Sequence, residues 1–275
     1  MGLAIPFHGD MRIVSNLGIV GSTSFGSAVA TNGTTLLDGS IVELISAANN
    51  VQDSWAIELI IWNGGLSATA SEQCMDVLVG GATDDVLIPA LICGHSTAAV
   101  PRHYFFPLHI PAGKRIACLL AGVRTTVTSR VGCLLYGGSP PPFEVGSRVI
   151  TYGTQINNAR GQQITPTASG GAHSVAEMTA STGEDLIAAI PGWQPHGGTV
   201  LERTYSMGIG LGASVEERLG TWWFQTSTTE QGFGPWPLLP VWRHIPAGTR
   251  LTFLASNSGT NDASLGDGLI YGVAA

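Results

Sequence analysis

The nearest approach to a catalytic motif in this 275-residue chain is GHSTA at residues 94–98, which resembles the G-x-S-x-G elbow with alanine in the last place. That serine works only on a sharp turn between strand and helix, with acid and histidine partners presented by an α/β sheet. Here Pro101 follows almost at once and the flanking sequence reads as strands, so hydrolase chemistry is not expected. Two acidic pairs, Asp84 with Asp85 and Glu216 with Glu217, recur at matching places in the two halves. A glycosidase needs two carboxylates facing each other across about 5 to 10 Å, whereas neighbours on a strand point to opposite faces. Solvated turns suit these pairs best, with an ion pair between subunits or a calcium ligand set as alternatives; the regular D-x-D-x-D-G spacing for calcium is missing. Cys74, Cys93, Cys118 and Cys133 lack both C-x-x-C spacing and the Cys/His spacing of a zinc site, which predicts buried free thiols. The residues therefore predict no catalytic group, no cofactor and no metal.

Two other groups of residues could act. His109, Pro111, Gly113 and Arg115 recur as His244, Pro246, Gly248 and Arg250 in the stretches HIPAGKR and HIPAGTR. Proline presets φ for the second position of a β-turn and glycine admits the left-handed conformation. The expected role is a structural joint that aims the next strand, with a shared ligand site as the alternative. The second candidate is the aromatic run TWWFQTSTTEQGFGPWPLLPVW, holding Trp222, Trp223, Phe224, Phe233, Trp236 and Trp242. Exposed aromatic faces stack on sugar rings and anchor protein interfaces; burial in the core and its loops is the competing role.

The elements that must position these groups come in two copies. Ile110 and Ile245 set an offset of 245 − 110 = 135, which carries Arg115 to Arg250 and LLYG at Leu134 to LIYG at Leu269 without a gap. Upstream, MDVLVGGATDD from Met75 lies over MGIGLGASVEE from Met207 at 207 − 75 = 132. Three residues are thus added in the second copy, in the aromatic segment. IVELISA from Ile41 pairs more faintly with VAEMTAS from Val175, and RIVSN from Arg12 with RVITY from Arg148. Short Val-, Ile- and Leu-rich runs bounded by Gly, Asn, Ser or Asp are strand and turn chemistry, and no long amphipathic helix is evident. The expected architecture is all-β: two tandem antiparallel β-sandwich, jelly-roll-like domains from an internal duplication, over 1–137 and 147–275. A Pro-rich linker at 138–146, PPP at its centre, is a stiff spacer that fixes a mutual angle.

Composition narrows the classes further. Only 11% of residues are charged, glycine is abundant at 37 residues, and the net charge is −7 with Lys114 the sole lysine. Nucleic-acid surfaces collect Lys and Arg, so nucleic-acid binding is not expected. No apolar run reaches membrane-spanning length, and the N-terminal MGLAIPFHGDMR lacks a basic segment followed by an apolar one, so neither a membrane span nor a signal peptide is expected. A weakly charged, turn-rich surface suits a subunit covered by neighbours.

The order DVLVGGATDDVLIPALICG, YFFPLHIPAGKRIACLLAG, then a strand ending LLYG, over residues 74–137, resembles a module of tailed-bacteriophage virion structural proteins; the second half resembles it more faintly, with Gly208 in place of Asp76 and Val241-Trp242 in place of the Phe-Pro pair. The resemblance implies a non-enzymatic structural subunit made in the host cytoplasm and built into the virion. It would sit at the tail tip, baseplate or fibre attachment, with the aromatic loop docking another virion protein; head decoration is the alternative. A homotrimer of such two-copy chains would present six similar domains to a sixfold site. A host-glycan-binding module, acting through Trp222, Trp223 or Trp236, is the alternative from another class.

Overall fold

The computed structural model describes residues 11–16, 26–63, 72–81, 83–93, 101–125, 127–139, 141, 143–154, 161–168, 170–195, 203–215, 217–226, 231–233, 238–259 and 266–275. Among them the chain forms strands and no helix. The first half contributes β1 (Met11–Ser15), β2 (Ser27–Ala30), β3 (Val42–Ile45), β4 (Ser54–Asn63), β5 (Gln73–Gly80), β6 (Asp84–Ile92), β7 (Arg102–Phe106), β8 (Arg115–Gly122) and β9 (Thr128–Gly138). The second contributes β10 (Arg148–Tyr152), β11 (Gln162–Ile164), β12 (Ser174–Thr179), β13 (Leu186–Pro195), β14 (Arg203–Leu211), β15 (Glu217–Thr226), β16 (Gln231–Phe233), β17 (Val241–Ile245), β18 (Leu251–Asn257) and β19 (Gly266–Ala274).

These strands pair in the same order twice. In the first half the sheets run β1-β9-β4-β7, with β2 also on β9, and β3-β8-β5-β6; in the second they run β10-β19-β13-β17, with β11 also on β19, and β12-β18-β14-β15, which β16 extends. All strand ladders are antiparallel. Two facing four-stranded sheets in this order make a jelly roll, so the all-β sandwich architecture expected from the sequence is the one found. Period-two alternation drives it. In β4, Ile57, Leu59 and Ile61 are fully buried, while Glu58 between them faces outward to His103 and Tyr136.

Strand register tests the two sequence offsets. Val77 pairs with Cys118 and Ile209 with Phe253, which reproduces 132 for one strand and 135 for the other. Ile41 and Val175 also correspond, since Val42 pairs with Cys118 and Ala176 with Phe253. The match of Arg12 with Arg148 is two residues out: Arg12 pairs with Gly137, whose counterpart Gly272 pairs with Ile150. A slip of two keeps every side chain on its own face, so the apolar pattern does not reveal it.

One continuous apolar core runs through both modules. β6 lies against β10 and β13. Tyr271 of β19 reaches into the first module, where the Ile92 N–H donates to its Oη at 2.7 Å and the hydroxyl donates to Ala90 O at 3.2 Å. The Tyr271 ring stands edge-on to Tyr104 and Phe106, with centroids 5.9 and 6.0 Å away. Arg102 donates to Trp193 O across the same junction. The linker is fastened as well. His109 N donates to Gly146 O at 2.8 Å and Gly146 N to Pro107 O at 2.9 Å, while Phe143 packs between Trp55 and Trp242, 5.6 and 5.2 Å away. All four cysteines are free and buried; burial pushes their thiols up, that of Cys118 to about 12, which leaves them protonated and unreactive.

Candidate functional site

The repeated turns form the same local structure twice. Asp53 Oδ1 accepts Ala112 N at 2.8 Å, and Asp185 Oδ1 accepts Ala247 N at 2.7 Å. Behind them, Asn50 O accepts Gly113 N and Thr182 O accepts Gly248 N, at 2.7 and 2.8 Å. Both glycines take φ in the left-handed region, 74° and 85°. His109 and His244 stand 3.6 and 3.8 Å from the same two aspartates. Arg115 pairs with Asp84, and Arg250 with Glu177 and the carbonyls of Gly212 and Ala213. Hydrogen bonding from Arg115 holds the Asp84 carboxyl below its ordinary value. Glu217 forms a two-point pair with Arg243, both contacts at 2.9 Å; Glu216 lies outside the described residues. The first turn borders an open cleft of about 380 Å³ that Asp85 and Lys114 also line.

The aromatic candidates separate. Trp222 and Phe224 point into the core, and Trp223 between them is 59% exposed. Trp242, 41% exposed, packs against Phe143 of the linker. Phe233 sits on β16 opposite Gln225, while Trp236, like the GHSTA segment, lies outside the described residues. The end of the aromatic segment docks on its own chain: Leu238 N donates to His103 O at 2.9 Å and Leu238 O accepts Phe105 N, adding a parallel bridge beside β7.

Around Trp223 the sheet assembles residues that the sequence alone did not single out. Ser206 of β14 pairs with Trp223 of β15 on one side and with Ser256 of β18 on the other, so all three share one transverse row on the outer face. His173, just before β12, closes the row. Its Nε2 lies 3.0 Å from Ser206 Oγ, 3.5 Å from Ser256 Oγ and 3.0 Å from Arg218 Nη2. Arg218 crosses over Gly208, where a Cβ would come within 2.9 Å of its Nε; only glycine leaves that path open. The aligned copies held a faint signal: Asp76 becomes Gly208, Cys74 becomes Ser206 and Ala121 becomes Ser256.

No family model matches this chain, and no curated protein does. Similar solved structures include PNGF-II, at 9% identity and TM-score 0.38, with 95% of this chain and 66% of that one covered. PNGase F, a glycosylasparaginase from Flavobacterium meningosepticum, follows at 10% identity and TM-score 0.37, with 96% of each chain covered. Structures of virus particles also occur among them; VP2 of infectious bursal disease virus, in a subviral particle, has 11% identity and TM-score 0.26, with 97% of this chain and 72% of that one covered. At these scores nothing about activity or partners carries over to this chain.

The proximity of Ser206 and His173 invites comparison with a nucleophile and its base. Burial, reinforced by the Arg218 charge, lowers the His173 pKa, and the guanidinium donates to the same nitrogen that would have to take the serine proton. An imidazole that accepts at Nε2 carries its proton on Nδ1. That arrangement presents a hydrogen-bond donor and disfavours nucleophilic catalysis.

Proposed function

We propose that this chain is a non-enzymatic structural subunit of a tailed-phage particle, seated at the tail tip, baseplate or fibre attachment and joining neighbouring virion proteins through its two modules. The observation that carries the reading is a duplicated edge. β3 and β12 each end their sheet, and at equivalent places beside or within them Ile41 and Val175 are 51% and 52% exposed. A sheet edge is a template for pairing, and an apolar side chain beside it favours cover by a neighbour. Two such edges per chain let a trimer offer six similar contacts. The virion assignment itself leans on the likeness of residues 74–137 to a tailed-phage module.

A reconstruction of the intact particle with this chain located is the test. Tens of copies or fewer at the tail support the reading; hundreds on the head replace the tail position with capsid decoration. A particle that lacks the chain overturns the proposal. So does unimpaired incorporation of an Ile41→Asp, Val175→Asp double variant into particles, because the edges would then hold no neighbour.

A further inference from the structure

We propose that the outer face of the β12-β18-β14-β15 sheet binds a saccharide carrying a carboxylate, with Trp223 as the stacking platform and Arg218 and His173 as the donors beside it. This goes beyond the particle role and stands independently of it.

A pyranose ring has an apolar face of C–H groups and a polar rim, so its recognition needs an open aromatic ring with fixed polar groups at the ring's edge. Trp223 supplies the first: it is 59% exposed while Trp222 and Phe224 on either side anchor its strand in the core. Thr221 and Gln225, exposed on the same strand, lengthen the platform on both sides. The polar groups are placed by the sheet and not by chance rotamers. Ser206 and Ser256 are nearly covered and sit against His173 Nε2, which fixes the ring and turns Nδ1–H into its remaining donor. Arg218 is routed across Gly208 to the same nitrogen. Among the described residues it forms no ion pair, so its planar fork of N–H groups can engage a carboxylate. The carboxylate is favoured because the charge beside Trp223 is positive and Arg218 and His173 both donate. The row is also not something the fold requires: at the same positions of the first module stand Cys74, Ile92 and Ala121, all buried.

The test titrates the purified full chain with 3′-sialyllactose and trigalacturonic acid, with lactose and maltotriose as neutral counterparts, read by calorimetry and tryptophan fluorescence. At least one acidic sugar binds, its neutral counterpart binds about tenfold weaker or not at all, and Trp223→Ala and Arg218→Gln each weaken the acidic sugar about tenfold or more. Trp223→Phe retains binding, and Trp242→Ala, on the other sheet, leaves it unchanged. Absence of binding by all four sugars up to about 10 mM overturns the proposal, as does binding that survives Trp223→Ala. Equal affinity for acidic and neutral sugars, insensitive to Arg218→Gln, overturns the carboxylate assignment. Particle incorporation reads the role under "Proposed function" separately, so the two can fail independently.

Discussion

The outer faces of the two modules carry the same positions and opposite chemistry. In the first, Cys74 pairs with Ile92 and Ala121; the row is apolar, belongs to the continuous core, and at Ile92 is bonded by Tyr271 of the second module. In the second, Ser206 pairs with Trp223 and Ser256; the row is polar and open around the indole. An identical strand order supports both, because a sheet's inner face fixes the jelly roll and its outer face is set by what covers it. One copy uses this face to join the modules. The matching face of the other leaves Trp223 exposed.

The largest expected effect tests that contrast directly. Ile92→Ala removes a fully buried side chain at the junction and should cost about 2–5 kcal/mol, whereas Trp223→Ala at the matching position should change stability by about 0.5 kcal/mol or less. Urea unfolding of both variants measures this, and equal losses would erase the distinction. Tyr271→Phe comes next. It leaves the buried Ile92 N–H without its partner, at about 1–3 kcal/mol, and because the hydroxyl bridges the modules its loss should lower the slope of the transition or divide it in two. Gly208→Ala is milder. The clash falls on the far end of Arg218, which can swing away, so stability should drop by about 1 kcal/mol or less while affinity for acidic sugars falls with the displaced guanidinium.

Much of the fold was legible because it was written twice. The offsets of 132 and 135 survive in the ladders, and the added residues fall in the segment that holds β16, a strand with no counterpart among the described residues of the first half. The N-terminal match failed by two residues because a period-two pattern is blind to that slip. The site was less legible. Trp222, Trp223 and Phe224 read locally as one aromatic run, and alternation says that one of two faces is buried, but not which; β14 and β18 decide it. His173, Ser206 and Arg218 carry no motif at all. They meet because β12, β18, β14 and β15 lie side by side, a long-range fact that local spacing does not contain. The repeated HIPAG turn, whose proline and glycine predict a structural joint, is met by the same aspartate-to-backbone bond in each copy.

That turn also yields the smallest expected effect. The Ala112 N–H bond, opposed by slight desolvation and helped by His109, holds the Asp53 carboxyl below its ordinary value of 3.8. A carboxyl lowered in the folded state stabilises it at pH values above the unfolded pKa, and this contribution disappears as pH falls through the lower, folded one. Asp53→Asn keeps an oxygen that can accept Ala112 N but has no charge at any pH. Wild type and variant should therefore differ slightly at neutral pH and converge below pH 3.8, with the gap shrinking in high salt because the group is exposed. Urea midpoints measured across this range check it. A gap of constant size down to the acid end would mean that the carboxylate charge contributes nothing and that the turn is held by hydrogen-bond geometry alone, in which case the duplicated aspartates are joints of the fold with no electrostatic part.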